Sequence, residues 1–378
     1  MKKIVLVFLL GVAIGACAQN ADYVSQVTCR LASPEMYGRG YDHHGDSIAA
    51  HFIRQEMIKL KLKPLGDNYL QHYNLDICYI EDNPTLKLKG KSLRPYYDYR
   101  IQPLWRLKKE TLEKSKWNLL TEDFLFLGTP KLGEAVPLVP SGDQKLQCYV
   151  EILNPKCKAK AKFLDYDIHV VRERNYRTQN VVGYLPGESD TMMVFTAHYD
   201  HLGSWGDSLC FYGAHDNASG TALVLDLARS YSTTYPHRYT LVFMLFSGEE
   251  AGLCGSSHAA QNPLIDYSKV KLLVNLDMFC GGSEGIAIVN ATDPQCQPFV
   301  KRLIAVNDSI TRLPEIKQRT NAANSDHYPF TSLCPAMFIY SLGGPYGGYH
   351  SPSDDCQSCG IAQNYPNMIR LITSLIEN

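Results

Sequence analysis

The sequence carries almost no excess charge. Lysine and arginine number 37 against 38 aspartates and glutamates, a formal net charge of −1. This argues against nucleic acid as the main partner, since a polyanion selects a basic surplus. Long apolar runs are nearly absent too. The run Ile4–Ile14 is too short to cross a bilayer as a stable helix, and no other stretch is long and apolar enough. No internal repeat is evident. Cys356-x-x-Cys359 has no second Cys-x-x-Cys to complete a zinc ribbon, so a local staple or plain loop cysteines are expected there.

Hydrophobic residues make up 45% of the 378 and charged residues 20%, enough for a sizeable core, and the length fits one large domain or a domain with an insertion. The first residues read as an export leader. Lys2 and Lys3 precede the apolar run, and Ile14-Gly15-Ala16-Cys17 resembles a bacterial lipobox with Cys17 lipidated after cleavage. Ala16-Cys17-Ala18 also fits cleavage before Gln19 and ordinary secretion. Either reading exports the chain, to a bacterial cell envelope in the lipidated case, and limits membrane contact to a lipid anchor. Setting Cys17 aside leaves eleven of twelve cysteines. An oxidising compartment allows disulfides, and an odd number leaves at least one thiol outside them. Cys148 with Cys157, and Cys356 with Cys359, are the nearest in sequence.

The chemistry concentrates between Met192 and Gly255. Two apolar runs, Met193–Ala197 and Thr240–Phe246, read as buried strands. The first ends in His198 and Asp200, the second in Glu249 and Glu250. Between them, Asp216 precedes an apolar helical run, Ala218–Tyr231. A third run ends at Asp277, and a glycine-rich loop carries His350. An open α/β sheet places its site at the carboxyl ends of its strands. Singly, each of these residues has a bland reading: a surface loop, a solvated acidic pair, a helix cap. Jointly, nitrogen and carboxylate donors at three strand ends suit zinc.

His-x-Asp (198–200), Gly-Ala-x-Asp-Asn-Ala-Ser-Gly (213–220), Ser-Gly-Glu-Glu-x-Gly-Leu-x-Gly-Ser (247–256), Asn-Leu-Asp-Met (275–278), Ser-Asp-His (325–327) and Tyr-His-Ser-Pro-x-Asp (349–354) resemble metallopeptidase family 28. That family includes bacterial zinc aminopeptidases, carboxypeptidase Q and glutamate carboxypeptidase. The likeness runs from Thr178 to the C-terminus, with a weaker stretch near 31–75 that contains Gly38-Arg39-Gly40. It implies a mixed, mostly parallel sheet covered by helices on both faces. It also implies two zinc ions, with Asp216 bridging, His198 and Asp277 on one, and Glu250 and His350 on the other. Glu249 is then the general base and acid. Tyr349 either donates a hydrogen bond to the oxyanion or simply packs. His43, His44, Asp326 and His327 are not expected as ligands; His215, beside Asp216, reads as a non-ligand, with an extra outer-shell ligand as the second reading. Asp200, two residues from His198, is expected to orient the imidazole with its carboxylate, since alternate residues of an extended chain share a face. Asp354 is expected to hold the His350 loop.

The chain divides into the leader at 1–17, an N-terminal part of the catalytic domain at 18–85, an insertion at 86–177 and the catalytic domain at 178–378. Residues 20–80 read as mostly helical, with a helix over 47–62. The insertion reads as β-rich and flanking the cleft, with strands at 148–153 and 161–164. Its patch of Pro95, Tyr96, Tyr97, Tyr99, Arg100, Trp105 and Arg106 has a second reading as a glycan or nucleic-acid surface. Strands are expected at 180–184, 286–289 and 335–340, and helices at 298–306 and 364–376. Trp205 and Phe211 are placed at the substrate pocket. The leading function is an exported zinc aminopeptidase acting on peptides. Competing readings are a single-zinc glutaminyl cyclase and a non-catalytic binding lipoprotein. Oligomeric state is not readable.

Overall fold

The computed structural model describes residues 20–103, 106–129, 134–139, 148–153, 164–234, 236–344, 348–360 and 365–376. Cys17, Trp105 and Cys157 lie outside them, so neither the lipobox nor a Cys148–Cys157 bridge is placed.

Two N-terminal helices come first, α1 (Ala21–Leu31) and α2 (Gly45–Lys59). Strand β1 (Leu70–Ile80) follows, then β2 (Val170–Leu185) and β3 (Ser189–His198). Helix α3 (Ser219–Ser232) leads to β4 (Tyr239–Phe246), α4 (Cys254–Gln261) and β5 (Val270–Leu276). The chain closes through β6 (Gly285–Val289), α5 (Gln297–Val306), β7 (Ala336–Leu342) and α6 (Tyr365–Ser374).

One large mixed sheet orders these strands β1-β2-β4-β3-β5-β7-β6. It ends at one edge in the short strands 204–205 and 209–210, and at the other in Ile316–Gln318. The four central strands β4, β3, β5 and β7 run parallel. β2 pairs antiparallel with both β1 and β4. Side chains of a strand alternate between faces, and β3 shows both halves of the core. Met193, Phe195 and Ala197 join α1, α2, α3 and α6 in one buried cluster, while Met192 and Val194 join Ala259 of α4 and Phe330 in another. Helices thus cover both faces, as the sequence pattern requires of strands that are apolar throughout.

Three features correct the sequence reading. Residues 70–80 are a strand, not helix. The boundary at 177/178 falls inside β2, which pairs with β1 from Val170 to Val181; the chain rejoins the main sheet before the insertion was expected to end. Phe211 does not line an open pocket, and Trp205 lines only a small cleft with His201 and Leu202. Both are buried and pack edge to face, centroids 5.5 Å apart, in a separate apolar core with Tyr96 and Tyr99. That core lies under the insertion, which is β-rich: a three-stranded sheet (91–93, 85–88, 164–167) and a four-stranded one (99–103, 148–153, 125–129, 117–120).

At the start of α2, Asp46 is fully buried and accepts hydroxyl hydrogen bonds from Tyr176 at 2.6 Å and Thr178 at 2.7 Å. Burial outweighs both bonds and lifts its carboxyl from 3.8 to about 6. Between those pH values the folded chain holds this proton and the unfolded chain releases it. Its contribution is therefore complete below about pH 4 and lost as pH rises through about 6, a difference of about 3 kcal/mol. Asp46→Asn should shrink the fall in urea midpoint measured from pH 4 to pH 7; a fall as large as in the unaltered protein would assign it to other groups.

Candidate metal centre

Three adjacent parallel strands deliver the site. β3 ends in His198, paired with Phe246 at the end of β4. Glu249 and Glu250 lie just past β4, and Asp277 just past β5. Asp216 sits in the turn before α3, and His350 in the loop after β7. The turn can press against β5 because of Gly220. A Cβ there would stand 2.3 Å from both Asn217 Oδ1 and Leu276 O. Asn217 uses that closeness, donating to Leu276 O at 3.0 Å and accepting from the Met278 amide at 3.2 Å. The Asp216 turn and the Asp277 strand end are thereby held together.

The six expected residues converge. His198 Nε2 lies 3.3 Å from Asp216 Oδ1 and 3.4 Å from Asp277 Oδ1. His350 Nε2 lies 3.1 Å from Asp216 Oδ2 and 3.2 Å from Glu250 Oε2. Asp216 thus turns one oxygen to each histidine. His198, Glu249 and Asp277 form one metal-sized cluster, with ligand atoms within 4.8 Å of one another; Asp216 and Glu250 form a second with His201.

The donors fit a metal ion. His198 Nε2, His201 Nε2 and Asp277 Oδ1 are buried and make no hydrogen bond, a costly arrangement unless something binds there. Asp200, Asp216, Asp277 and Asp326 are all buried, and so much negative charge out of water needs a positive counterpart. Among the protein groups the histidines and the buried Arg39 supply part of it. Burial opposes a charge on His198, but Asp277 and Glu249 outweigh it and raise its pKa well above the usual value. Burial also disfavours the Asp216 carboxylate, yet His198 and His350 hold it well below the usual range. Glu250 goes the same way against its burial, to about 2, chiefly through His350. Glu249 differs. Burial drives it well above the usual carboxylate range; His198 opposes this, while Asp326 and Glu250 reinforce it. One of two adjacent glutamates thus favours the proton and the other the charge, which separates a proton carrier from a ligand.

Asp200 acts otherwise than expected. β3 stops at His198, so the alternation of an extended chain does not reach Asp200. Its carboxylate accepts the amides of Glu249 at 3.2 Å and Glu250 at 3.3 Å, and so shapes the turn that separates the two glutamates. His198 Nδ1 meets the Asp200 backbone carbonyl at 3.2 Å, closer than the 3.6 Å to the carboxylate. Asp354 binds the bridging segment directly. Its two oxygens accept the amides of His215 at 2.8 Å and Asp216 at 3.1 Å, and its own amide bonds to Ser351 O at 3.1 Å. It couples the Asp216 turn to the His350 loop. Tyr349 stacks on His350 with centroids 3.9 Å apart and is 37% exposed. Burial of the hydroxyl and the charges of Asp216 and Glu250 raise its phenol above the usual range, so it stays a donor at the rim.

Sequence reasoning missed two groups here. His201 Nδ1 lies 2.7 Å from Glu250 Oε1 and fixes that carboxylate from behind. Ser325 donates to Asp277 Oδ2 at 2.8 Å and leaves Oδ1 facing His198. The extra histidine beside His198-x-Asp200 was a visible signal, and Ser325 stood in the Ser-Asp-His motif without a role assigned to it. Asp326 is buried behind the site, its carboxyl pushed by burial to about 7. His43 stacks on Tyr37 and His215 Nδ1 accepts the Cys280 amide. The cysteines also differ from expectation. Cys356 pairs with Cys29, and Cys359 with Cys280, so they staple the His350 loop to α1 and to the Asp277 loop instead of to each other.

Residues 180–372 match the model of Peptidase family M28. A probable leucine aminopeptidase from Arthroderma otae is 29% identical over 195 residues, covering 48% of this chain and 52% of its own. The chain spans about half the length of the curated relatives it matches. Among solved structures, a zinc aminopeptidase from Bacillus subtilis superposes with a TM-score of 0.66 at 20% identity, over 95% of this chain and 94% of its own. A glutaminyl cyclase from Porphyromonas gingivalis gives 0.56 at 12% identity, over 95% and 98%. At those identities the likeness is one of fold.

Proposed function

The chain belongs to peptidase family M28, and on that premise we propose that it is a two-zinc aminopeptidase releasing N-terminal residues from peptides. The observation that carries the proposal is the divided carboxylate of Asp216, one oxygen toward His198 and Asp277, the other toward His350 and Glu250. A catalytic zinc needs three protein ligands and one open position. Five residues with one shared carboxylate give three to each of two ions. Zinc held there would acidify water to near neutrality and polarise the scissile carbonyl.

The chain's own groups do the rest. Glu249 takes the proton of the attacking water and returns it to the leaving amine, a task suited to a carboxyl whose surroundings favour the protonated form. The backbone geometry imposed by Asp200 keeps Glu249 apart from Glu250. Tyr349, protonated at the rim, is placed to donate to the oxygen that gains charge. The relatives named above as leucine aminopeptidase and zinc aminopeptidase support this reaction class.

The deciding experiment strips the protein with a chelator, adds zinc back in steps, and follows two activities. Cleavage of amino-acid anilides rising to a plateau at two ions per chain is expected. Saturation at one ion, with pyroglutamate formed from N-terminal glutamine and no anilide cleavage, would replace the peptidase by a cyclase.

A further inference from the structure

Arg39 is the middle residue of Gly38-Arg39-Gly40 and is fully buried. Its guanidinium has five N–H donors, and five backbone carbonyls receive them. Nε donates to Tyr199 O at 2.6 Å; Nη1 to Leu31 O at 2.8 Å and Tyr212 O at 2.6 Å; Nη2 to Gly213 O at 2.6 Å and Asp216 O at 3.4 Å. Tyr199 lies between His198 and Asp200, and Gly213 to Asp216 is the segment that carries the bridging carboxylate. One planar group thus ties the first strand end to the Asp216 turn.

The turn is fitted to this task. Tyr37, Gly38 and Arg39 all have left-handed backbone, φ 48°, 58° and 49°, a setting that ordinary residues keep only where the surroundings impose it. A Cβ on Gly38 would stand 2.4 Å from the carbonyls of Gly203 and Phe211, and one on Gly40 would stand 2.2 Å from Gly203 Cα. Backbone therefore presses on backbone, with bonds from Gly203 N to Gly38 O at 3.2 Å and from His201 N to Arg39 O at 3.4 Å. The guanidinium also draws on the charges of Asp354, Asp216 and Asp200. It is a fixed cation behind a site crowded with carboxylates.

We propose that Arg39 is a positioning residue for the metal centre, fixing the spacing of His198 and Asp216 through the carbonyls it holds. This rests on the two-zinc reading given above. Lysine cannot substitute, since a single ammonium with three donors cannot reach five carbonyls laid around a plane.

The test compares the unaltered protein with Arg39→Lys and Arg39→Ala. Zinc affinity is measured by competition with a chelator, and the cobalt-substituted proteins by their visible spectra, at temperatures where circular dichroism shows a folded chain. Both variants should bind zinc about tenfold to hundredfold more weakly, the range seen when groups supporting metal ligands are lost. The cobalt spectrum should shift, kcat should fall more than KM changes, and added guanidinium should restore part of the affinity of Arg39→Ala. If Arg39→Ala does not fold, Arg39→Lys decides alone by affinity and spectrum. A folded variant with a lower melting temperature but unchanged zinc affinity, cobalt spectrum and kcat would reduce Arg39 to a packing residue. An unaltered protein that takes up no zinc would instead overturn the two-zinc reading, and the role of Arg39 with it.

Discussion

Glu249→Gln should keep its metal and lose its turnover. The amide fills the same volume and leaves His198, Asp216, Glu250, Asp277 and His350 untouched, so zinc content should match that of the unaltered protein. The amide cannot accept a proton from water at neutral pH. General acid–base catalysis contributes about 10²–10⁴-fold, and kcat on an anilide should fall by that factor with little change in KM. Glu249 also stands within ligand distance of His198 and Asp277, which makes the measurement decisive. Zinc lost in parallel with the rate would make Glu249 a ligand and leave the proton carrier to another group.

Asp216→Asn attacks both halves of the site at once. An amide offers one oxygen and no charge, so it cannot serve His198 on one side and His350 on the other. Both ions should bind far more weakly, and hydrolysis should fall to background. A thermal readout separates this from misfolding. Zinc at a hundred times its dissociation constant stabilises a folded protein by about 2.7 kcal/mol, so saturating zinc should raise the melting temperature of the unaltered protein clearly. The asparagine variant should melt at the same temperature with or without zinc. A variant that still held one ion at unaltered affinity would show that Asp216 belongs to one cluster only.

Most of the ligands were legible because they border an apolar run that could only be a buried strand or helix; His350, in its glycine-rich loop, was legible only through the Tyr-His-Ser-Pro-x-Asp resemblance. Met193–Ala197 announces His198, and Thr240–Phe246 announces the glutamates. What was hidden depended on where the backbone goes next. Asp200 was assigned by the alternation of a strand that in fact stops two residues earlier. β1 was hidden for another reason. Its buried positions include Gln71, whose amide donates to Asn262 O at 2.7 Å and whose oxygen accepts from Asn180 at 3.1 Å. A polar residue satisfied in this way erases the apolar alternation that marks a strand. The disulfides join residues 327 and 79 positions apart, and spacing along the chain carries no trace of either. Arg39 looked like part of a turn; its five carbonyl partners come from Leu31 and from residues between Tyr199 and Asp216, and only the folded chain assembles them.

The large sheet also ends in a particular way. Its outermost strands are Leu209–Cys210, two residues, and Ile316–Gln318, three residues. An exposed strand edge is a row of unpaired amides and carbonyls onto which another chain can add a strand, the usual start of aggregation. These two terminal strands are too short to template one. The apolar strands that carry the catalytic groups all lie in the interior of the sheet, flanked on both sides by pairing partners. The same strand order that gathers the ligands therefore keeps β3, β4 and β5, the apolar strands that carry them, from offering a free edge to neighbouring molecules.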